Sequence, residues 1–397
     1  MFKIKFSFKP AATAVCLAAL ALSFTACSDD DKGNKVEITG TSVTTAAPKS
    51  EIKGMYLLNE GQMNKNKCSL DYFDYTSGKF YNNLFAAINP DVTLGLGDTG
   101  NDLKIYKDRL YAVVNVSGII EVMNAATARH IGYVELAGCR SIAFSGDKAY
   151  VTSYAGTMDE TTKLTKGTVA EIDLKTLKIT RTCTVGYQPE GIVVKDGKLY
   201  VANSVAYEPD YTAHYEKTVS VIDASTMSVE KNIDVAENLN SMQLDNSGQL
   251  YVISRGNYYT VPSNVYVINT ATDNVEKSLD VRAASMYMAG DSLYIVANEF
   301  SYETYTSVPS FTLYNTQSGN VVSAKFITDG TDASMASPYG VAVNPENGDI
   351  FIPDAGDYIN PGTMFCYNRE GKLLWKAATG DIPGHMEFTT TKVRGLE

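Results

Sequence analysis

Histidine and tryptophan are scarce in this chain of 397 residues. It has three histidines, His130, His214 and His385, and one tryptophan, Trp375. The histidines match no metal-binding spacing, and HExxH, GxSxG and phosphate-binding loops are missing, so the sequence gives no support to a zinc site or a Ser-His-Asp hydrolase. Sugar-binding proteins usually expose tryptophan, whereas Trp375 is predicted in an outer strand, which disfavours a glycan ligand.

Long apolar runs are confined to the N-terminus. Residues 11–24 are almost wholly apolar but short for a bilayer span, and they follow a segment with three lysines, as in a signal peptide. The next residues, Phe-Thr-Ala-Cys, resemble a bacterial lipobox. We therefore expect cleavage after Ala26 and acylation of Cys27. The alternative is an ordinary signal-peptidase cut at the same bond, which leaves Cys27 a plain thiol.

The segment after Cys27 is polar, with three consecutive aspartates followed by a Gly/Thr/Ser-rich stretch. Such a segment buries no core. We assign residues 1–26 to a lipoprotein signal peptide, 27–53 to a flexible acidic tether and 54–397 to the folded part. The acidic run resembles an export signal of Bacteroidota-type lipoproteins, which predicts an outer-membrane, cell-surface location; a solvated linker is the alternative.

The charge balance is acidic. Removal of residues 1–26 takes away three lysines and no acid, which leaves 45 acidic and 31 basic residues and a formal charge of −14. This disfavours nucleic acid as a partner and limits membrane attachment to the lipid. The remaining cysteines, Cys68, Cys139, Cys183 and Cys366, show no paired spacing, and we expect them to be small apolar filler in strands.

A pattern of apolar residues around a central aromatic recurs seven times. The central residues are Tyr56, Tyr111, Tyr150, Tyr200, Tyr251, Tyr294 and Phe351. In step with it, Asp or Asn followed three residues later by Ser, Thr or Gly marks a tight turn, as at Asp173/Thr176. Several short strands repeated every 39–57 residues predict an all-β fold, a seven-bladed β-propeller of four-stranded antiparallel blades. The first copy lacks an inner strand, so we predict that residues 385–388 supply it and close the ring.

Strands B and C of most blades are joined by long connections rich in tyrosine. Nine of the 26 tyrosines lie there, and long loops on a rigid scaffold commonly carry function. We therefore predict a ligand face, because tyrosine offers a large contact area and a polar tip. Its candidate ligand contacts are Tyr207, Tyr211, Tyr215, Tyr258, Tyr259, Tyr302, Tyr305, Tyr358, Tyr187, Gln188, Asn203, Arg255 and Asn59. The alternative is that loop tyrosines pack only on one another, and that strand-end residues such as Asn59 and Asn203 only hydrogen-bond the loop backbone.

Two further patterns give little support to a nucleotide site or a metal site. Residues 95–100 match GxGxxG, but an extended apolar segment follows where a nucleotide fold needs a helix. Asp354 and Asp357 form at best a weak cation site. We therefore expect no catalytic residue, no metal and no catalytic cofactor.

The segments LYVAN (199–203) and VIDAST (221–226), with the seven-fold period, resemble the YVTN/YncE-type propellers. Within these, the lipobox, the acidic tether, NEGQ at 59–62 and the tyrosine loops resemble the BtuG-type surface lipoproteins. The resemblance implies a non-enzymatic protein that captures cobalamin at the cell surface and passes it to a TonB-dependent outer-membrane transporter. The alternatives are a surface propeller that binds a protein or glycan and, less favoured, a polysaccharide-processing enzyme.

Overall fold

Each copy of the aromatic-centred pattern forms the second strand of a four-stranded antiparallel sheet, and the chain builds seven such sheets. The computed structural model describes residues 38–396 except 156–164, 208–211 and 302–305. The innermost strands of successive sheets contact one another around a central axis. The predicted seven-bladed β-propeller is therefore confirmed. We call the strands of each blade A to D from the axis outward.

The strands follow one another in chain order. The first twelve strands belong to blades 1 to 3. They are β1 (Thr41–Ser42), β2 (Gly54–Asn59), β3 (Ser69–Asp74), β4 (Lys79–Tyr81), β5 (Gly100–Tyr106), β6 (Arg109–Val114), β7 (Ile119–Asn124), β8 (His130–Glu135), β9 (Cys139–Ser145), β10 (Lys148–Ser153), β11 (Lys166–Asp173) and β12 (Lys178–Tyr187). Blades 4 and 5 contain β13 (Ile192–Lys195), β14 (Lys198–Ala202), β15 (Val205–Tyr207), β16 (Ala213–Tyr215), β17 (Thr218–Asp223), β18 (Ser228–Asp234), β19 (Leu239–Leu244), β20 (Gln249–Ser254), β21 (Asn264–Asn269) and β22 (Asn274–Ser278).

The remaining strands complete the ring. They are β23 (Ser285–Ala289), β24 (Ser292–Ser301), β25 (Thr306–Asn315), β26 (Asn320–Ser323), β27 (Ala342–Val343), β28 (Ile350–Asp354), β29 (Pro361–Tyr367), β30 (Leu373–Asp381) and β31 (Pro383–Thr389). A short helix α1 (Leu84–Ile88) and a 3-10 helix (Thr331–Ser334) lie in connections between blades. The glycine-rich segment 95–100 leads into strand β5, as its interpretation as turn chemistry predicts.

The last strand closes the ring. Strand β31 pairs antiparallel with β2, so that Met55 faces Phe388 and Leu57 faces Met386. The C-terminal strand thus supplies strand A of blade 1, as predicted. Because β2 would otherwise present an unpaired inner edge, this closure satisfies its backbone and joins the two ends of the chain.

The core lies between the blades. Seven clusters of buried apolar residues each join two neighbouring sheets. The central tyrosines also bond across these interfaces: the Tyr56 hydroxyl donates to the Ala125 carbonyl at 2.9 Å, and the Tyr200 hydroxyl donates to Asp273 at 2.7 Å. Each acceptor belongs to the C–D turn of the next blade, so the two repeated markers hold neighbouring blades together.

The segment before residue 54 lies partly against blade 1. Strand β1 pairs with the outer strand β4, and Ile52 is buried. Residues 41–53, which we assigned to the tether, therefore contact the propeller. The signal peptide, Cys27 and the tether up to residue 37 lie outside the described residues. Within the described ranges, no helix is long and apolar enough to cross a membrane.

The four remaining cysteines are free and buried in the blades. Cys139 lies in the cluster between blades 2 and 3, and Cys366 lies in the cluster between blades 7 and 1. Both thiols have pKa values raised by burial. They act as apolar filler rather than as reactive groups.

Candidate functional site

Antiparallel blades place the B–C and D–A connections on one side of the ring, which we call the loop face. The A–B and C–D turns lie on the opposite side, the turn face. Each strand A begins at the loop face, and each strand B ends there. Side chains at these positions meet around the mouth of the central axis.

Two arginines and one carboxylate form the polar floor of this mouth. Arg140, at the start of β9, donates from Nε to Glu190 Oε2 at 3.0 Å and from a terminal nitrogen at 2.9 Å. The Tyr154 hydroxyl donates to the other Glu190 oxygen at 2.5 Å, and Arg255 approaches that oxygen to 3.7 Å. We call Arg140, Tyr154, Glu190 and Arg255 the arginine cluster.

The electrostatic interactions within the arginine cluster determine the protonation states of its groups. Burial acts to raise the pKa of Glu190, but the charges of Arg140 and Arg255 and the bond from Tyr154 outweigh it and hold the pKa below its usual value. Burial, only partly offset by Arg140, raises the pKa of Tyr154 well above its ordinary range. The cluster therefore holds an ionised carboxylate shared by two guanidinium groups, with one positive charge in excess.

A second polar group lies across the mouth. The Tyr339 hydroxyl donates to Glu60 at 3.0 Å, and His385 Nε2 lies 3.0 Å from the other Glu60 oxygen. The charge of Glu60, together with burial, raises the pKa of Tyr339 well above its ordinary value, although Arg255 opposes the shift. We call Glu60, Tyr339 and His385 the Glu60 cluster. Its electrostatic contact with Arg255 indicates that the two clusters share one floor.

The sequence reasoning missed most of this floor. Only Arg255 was a candidate, whereas Arg140, Glu190 and Glu60 were not considered. The structure also brings together a histidine, a tyrosine and an arginine, His385, Tyr339 and Arg255, which are far apart in the sequence. One signal could have found it: these residues directly follow a B strand or open an A strand, where the propeller topology directs side chains to the axis.

Tyr258 and Tyr358 rise from two loops with the same turn. Both loops read Gly, then Asn or Asp, then Tyr, and the Asn257 or Asp357 side-chain oxygen accepts the backbone N–H groups two and three residues on. The tyrosines adopt left-handed φ values of 63° and 62° and are 49% and 41% exposed. Two predicted contacts thus stand open at the loop face, where Tyr358 also packs edge-on against Tyr339 at 5.8 Å.

The connection of blade 4 forms a small hairpin of β15 and β16, which carries Tyr207 and Tyr215. The Tyr215 hydroxyl donates to the Asn257 carbonyl at 3.2 Å. Burial raises the pKa of Tyr207, with a further contribution from Tyr258. Blades 4 and 5 therefore place Tyr207, Tyr215 and Tyr258 together, and Tyr259 beside them is 77% exposed. The candidates Tyr211, Tyr302 and Tyr305 lie outside the described residues.

Other candidates lie below the surface of the face. Asn59 and Asn203 are fully buried. Asn203 accepts the Gly186 N–H at 3.0 Å, and Asn59 donates to the Ser69 hydroxyl at 3.0 Å. These contacts fit the alternative that strand-end residues support the connections, while their predicted ligand role stays a prediction. Tyr187 and Gln188 are half-buried at the end of blade 3, where the Tyr187 N–H donates to Glu216.

Asp354 and Asp357 are engaged with backbone amides. Asp354 accepts the N–H groups of Ala336 and Ser337 at 3.1 and 2.6 Å, and Asp357 caps its own loop. In the ranges that the structure describes, no three His, Cys, Asp or Glu side chains are grouped so as to hold a metal ion.

A family model described as "Domain of unknown function (DUF5074)" matches residues 53–368. No curated protein matches the chain. A quinonprotein alcohol dehydrogenase-like protein from Bacteroides thetaiotaomicron has a similar structure, with a TM-score of 0.61 and 16% identity over 85% of this chain and 78% of that one. Hydrazine synthase of Kuenenia stuttgartiensis has a TM-score of 0.54 and 15% identity, over 68% and 77%. The WD40 domain of Neurospora crassa Pan2 has a TM-score of 0.50 and 6% identity, over 72% and 79%. At these identities the likeness concerns the fold alone.

Proposed function

Since the chain belongs to the family described as the domain of unknown function DUF5074, we propose a function from its loop face: non-catalytic capture of cobalamin or a related corrinoid. The observation that carries the proposal is the pairing of exposed tyrosines, Tyr258, Tyr259 and Tyr358, with a charged and hydrogen-bonding floor. A propeller face of this kind is broad enough for a ligand that an ordinary pocket would not admit.

The chemistry of a corrinoid matches this arrangement. Its ring is broad and largely apolar, and its rim carries amide groups. Tyrosine side chains can cover the ring, while tyrosine hydroxyl groups and Glu60 can exchange hydrogen bonds with the amides. Because the ligand would be bound whole, no group has to transfer a proton.

The proposal includes the cell-surface context. The lipobox at Cys27 and the acidic run after it support an outer-membrane lipoprotein. A surface protein that holds a corrinoid needs a route inward, and a TonB-dependent outer-membrane transporter would take the ligand from the loop face.

The acid–base properties of the floor support binding over catalysis. A polysaccharide-processing enzyme with a His/Tyr/Arg set needs a base that is deprotonated near neutral pH. Tyr339 and His385 both contact Glu60, and the charge of Glu60, together with burial, keeps the pKa of Tyr339 well above its ordinary value, so that its hydroxyl stays protonated. Tyr339 is therefore suited to donate a hydrogen bond rather than to remove a proton.

A protein ligand is the second candidate, because the loop face has an apolar rim. Met63, Leu94 and Ile359 are more than half exposed in three different connections. Clustered apolar groups of this kind favour contact with a protein surface. A transporter could occupy this rim while the floor holds the small ligand, so the two candidates are compatible.

The test is isothermal titration of the chain from residue 28 onward with cyanocobalamin. We expect binding near one to one. Tyr207→Ala and Tyr258→Ala should each weaken it about tenfold, because each removes an aromatic contact. Tyr133→Ala is the matched control, since Tyr133 is 51% exposed but lies on the outer strand β8.

The outcomes separate the candidates. Equal loss with Tyr133→Ala would disconnect binding from the loop face. No heat with folded protein up to high micromolar ligand would overturn corrinoid capture and leave the protein-binding surface as the better account.

A further inference from the structure

Arg255 differs from Arg140 in that its guanidinium group makes no hydrogen bond to Glu190. Arg140 binds Glu190 through two nitrogens and also donates to Asn101 at 2.6 Å. Arg255 comes no closer than 3.7 Å to Glu190, which is beyond hydrogen-bond distance. Glu190 is thus committed to Arg140 and Tyr154, and the excess positive charge of the arginine cluster resides on Arg255.

The surroundings of Arg255 suit a ligand. Its side chain is 36% exposed and follows strand β20 directly, at the mouth of the axis. Four phenols, those of Tyr154, Tyr207, Tyr258 and Tyr339, interact with it electrostatically, and those of Tyr154 and Tyr339 already donate to Glu190 and Glu60. A guanidinium group presents donors in a planar fork that matches an oxyanion, and the hydroxyl groups of Tyr207 and Tyr258 add further donors.

The charge of the whole chain makes this site selective. Without residues 1–26 the formal net charge is −14, from 45 acidic and 31 basic residues, so the protein as a whole repels an anion. Across the mouth, the Glu60 carboxylate accepts a hydrogen bond from Tyr339 and contacts His385. An anionic group carried by a larger ligand would therefore be oriented towards Arg255.

We propose that Arg255, with the neighbouring hydroxyl groups of Tyr207 and Tyr258, binds an oxyanion of the ligand. For the corrinoid of the proposed function, on which this inference rests, the oxyanion is the phosphodiester of the nucleotide loop. Arg255 thus distinguishes complete cobalamin from corrinoids that lack the nucleotide. The corrin ring is held by the exposed tyrosines and not by this arginine.

The experiment compares two ligands that differ in the nucleotide loop. Cyanocobalamin contains this loop with its phosphodiester, whereas dicyanocobinamide has the corrin ring and amides without the phosphodiester, ribose and base. Both are titrated into the chain from residue 28 onward and into its Arg255→Gln variant. We expect the variant to lose about tenfold to a hundredfold in affinity for cyanocobalamin, as for a lost charge-assisted hydrogen bond, and to keep its affinity for dicyanocobinamide.

Two further variants keep the test decisive. Arg255→Lys retains the charge without the planar fork, and we expect an intermediate loss for cyanocobalamin alone. Arg129→Gln removes an exposed arginine from the C–D turn of blade 2, on the turn face, and should change neither affinity. If Arg255→Gln fails to fold, the lysine variant carries the comparison.

The results distinguish failure of the oxyanion site from failure of the proposed corrinoid capture. A wild-type chain that binds neither corrinoid overturns corrinoid capture itself. A wild-type chain that binds both, with Arg255→Gln and Arg255→Lys weakening both equally or neither, overturns only the oxyanion site. Binding of cyanocobalamin that falls with added salt, beside salt-independent binding of dicyanocobinamide, is the expected companion result.

Discussion

Glu121 shows what a single buried acid does in this fold. It lies in strand C of blade 2, and its Oε1 is 2.5 Å from Nδ1 of His130. Burial raises the pKa of Glu121 from 4.5 to about 7, against the opposing effect of His130. A pKa raised by folding favours the folded state while the group is protonated. The contribution is therefore complete below about pH 4.5 and is lost as the pH rises through about 7.

We predict that Glu121→Gln flattens the pH dependence of stability between these two values. The amide is neutral at every pH, so it removes a change of about 3 kcal/mol in the free energy of unfolding. Urea unfolding of both proteins from pH 4.5 to 8 measures the difference. Glu135→Gln, at an exposed position in the neighbouring strand β8, is the control and should follow the wild type. An unchanged slope in Glu121→Gln would show that burial does not perturb this carboxyl.

At the scale of elements, the two loops with the same turn differ in one respect. Gly256 and Gly356 both have φ near 60°. A Cβ at Gly256 would overlap the Val261 carbonyl oxygen, whereas a Cβ at Gly356 would meet nothing within 4 Å. Alanine at either position has to adopt the left-handed conformation, but only Gly256→Ala also has to displace the backbone of its own loop.

We therefore predict unequal costs for the two alanine variants. Gly356→Ala should lower the free energy of unfolding by about 1 kcal/mol, the cost of the left-handed conformation alone. Gly256→Ala should cost clearly more and should also weaken corrinoid binding, because its loop carries Arg255 and Tyr258. Urea unfolding and titration measure the two effects. Equal losses in the free energy of unfolding would mean that the Val261 carbonyl moves away from the added methyl group at little cost.

In these two loops, the exposed tyrosines could be predicted from the sequence, whereas the charged pairs of the floor could not. The turn of Tyr258 depends on Gly256 and Asn257 close by in the chain, so local pattern is enough to expect an exposed tyrosine there. The pairing of Arg140 with Glu190 spans 50 residues and follows no repeat. Only the closed ring brings Glu60 of blade 1 and Tyr339 of the last connection together, which is why the floor of the site was missed while its tyrosines were not.

At the scale of the whole molecule, the fold was predictable because each blade repeats the same local chemistry. An apolar strand around an aromatic residue and an Asx turn suffice to specify a blade, and an unpaired sheet edge demands closure. The segment at 41–53 was assigned to the tether because the stretch after Cys27 is polar and rich in Gly, Thr and Ser. Its contact with blade 1 consists of the pairing of β1 with β4, further backbone hydrogen bonds such as that from the Ala47 N–H to the Tyr75 carbonyl, and the burial of Ile52.

The contribution of ring closure to stability can be measured with two truncated chains. A chain that ends at Thr389 keeps β31 but loses Val393 and Leu396, which are buried between blades 1 and 2. A chain that ends at Asp381 also loses β31 and leaves the inner edge of β2 unpaired. We expect the first to unfold cooperatively at a lower urea concentration than the full chain, and the second to lose cooperative unfolding and to aggregate through its open edge. Circular dichroism during urea titration, with light scattering, measures both. Cooperative unfolding of the chain that ends at Asp381 would mean that six blades and an incomplete first blade hold together without closure.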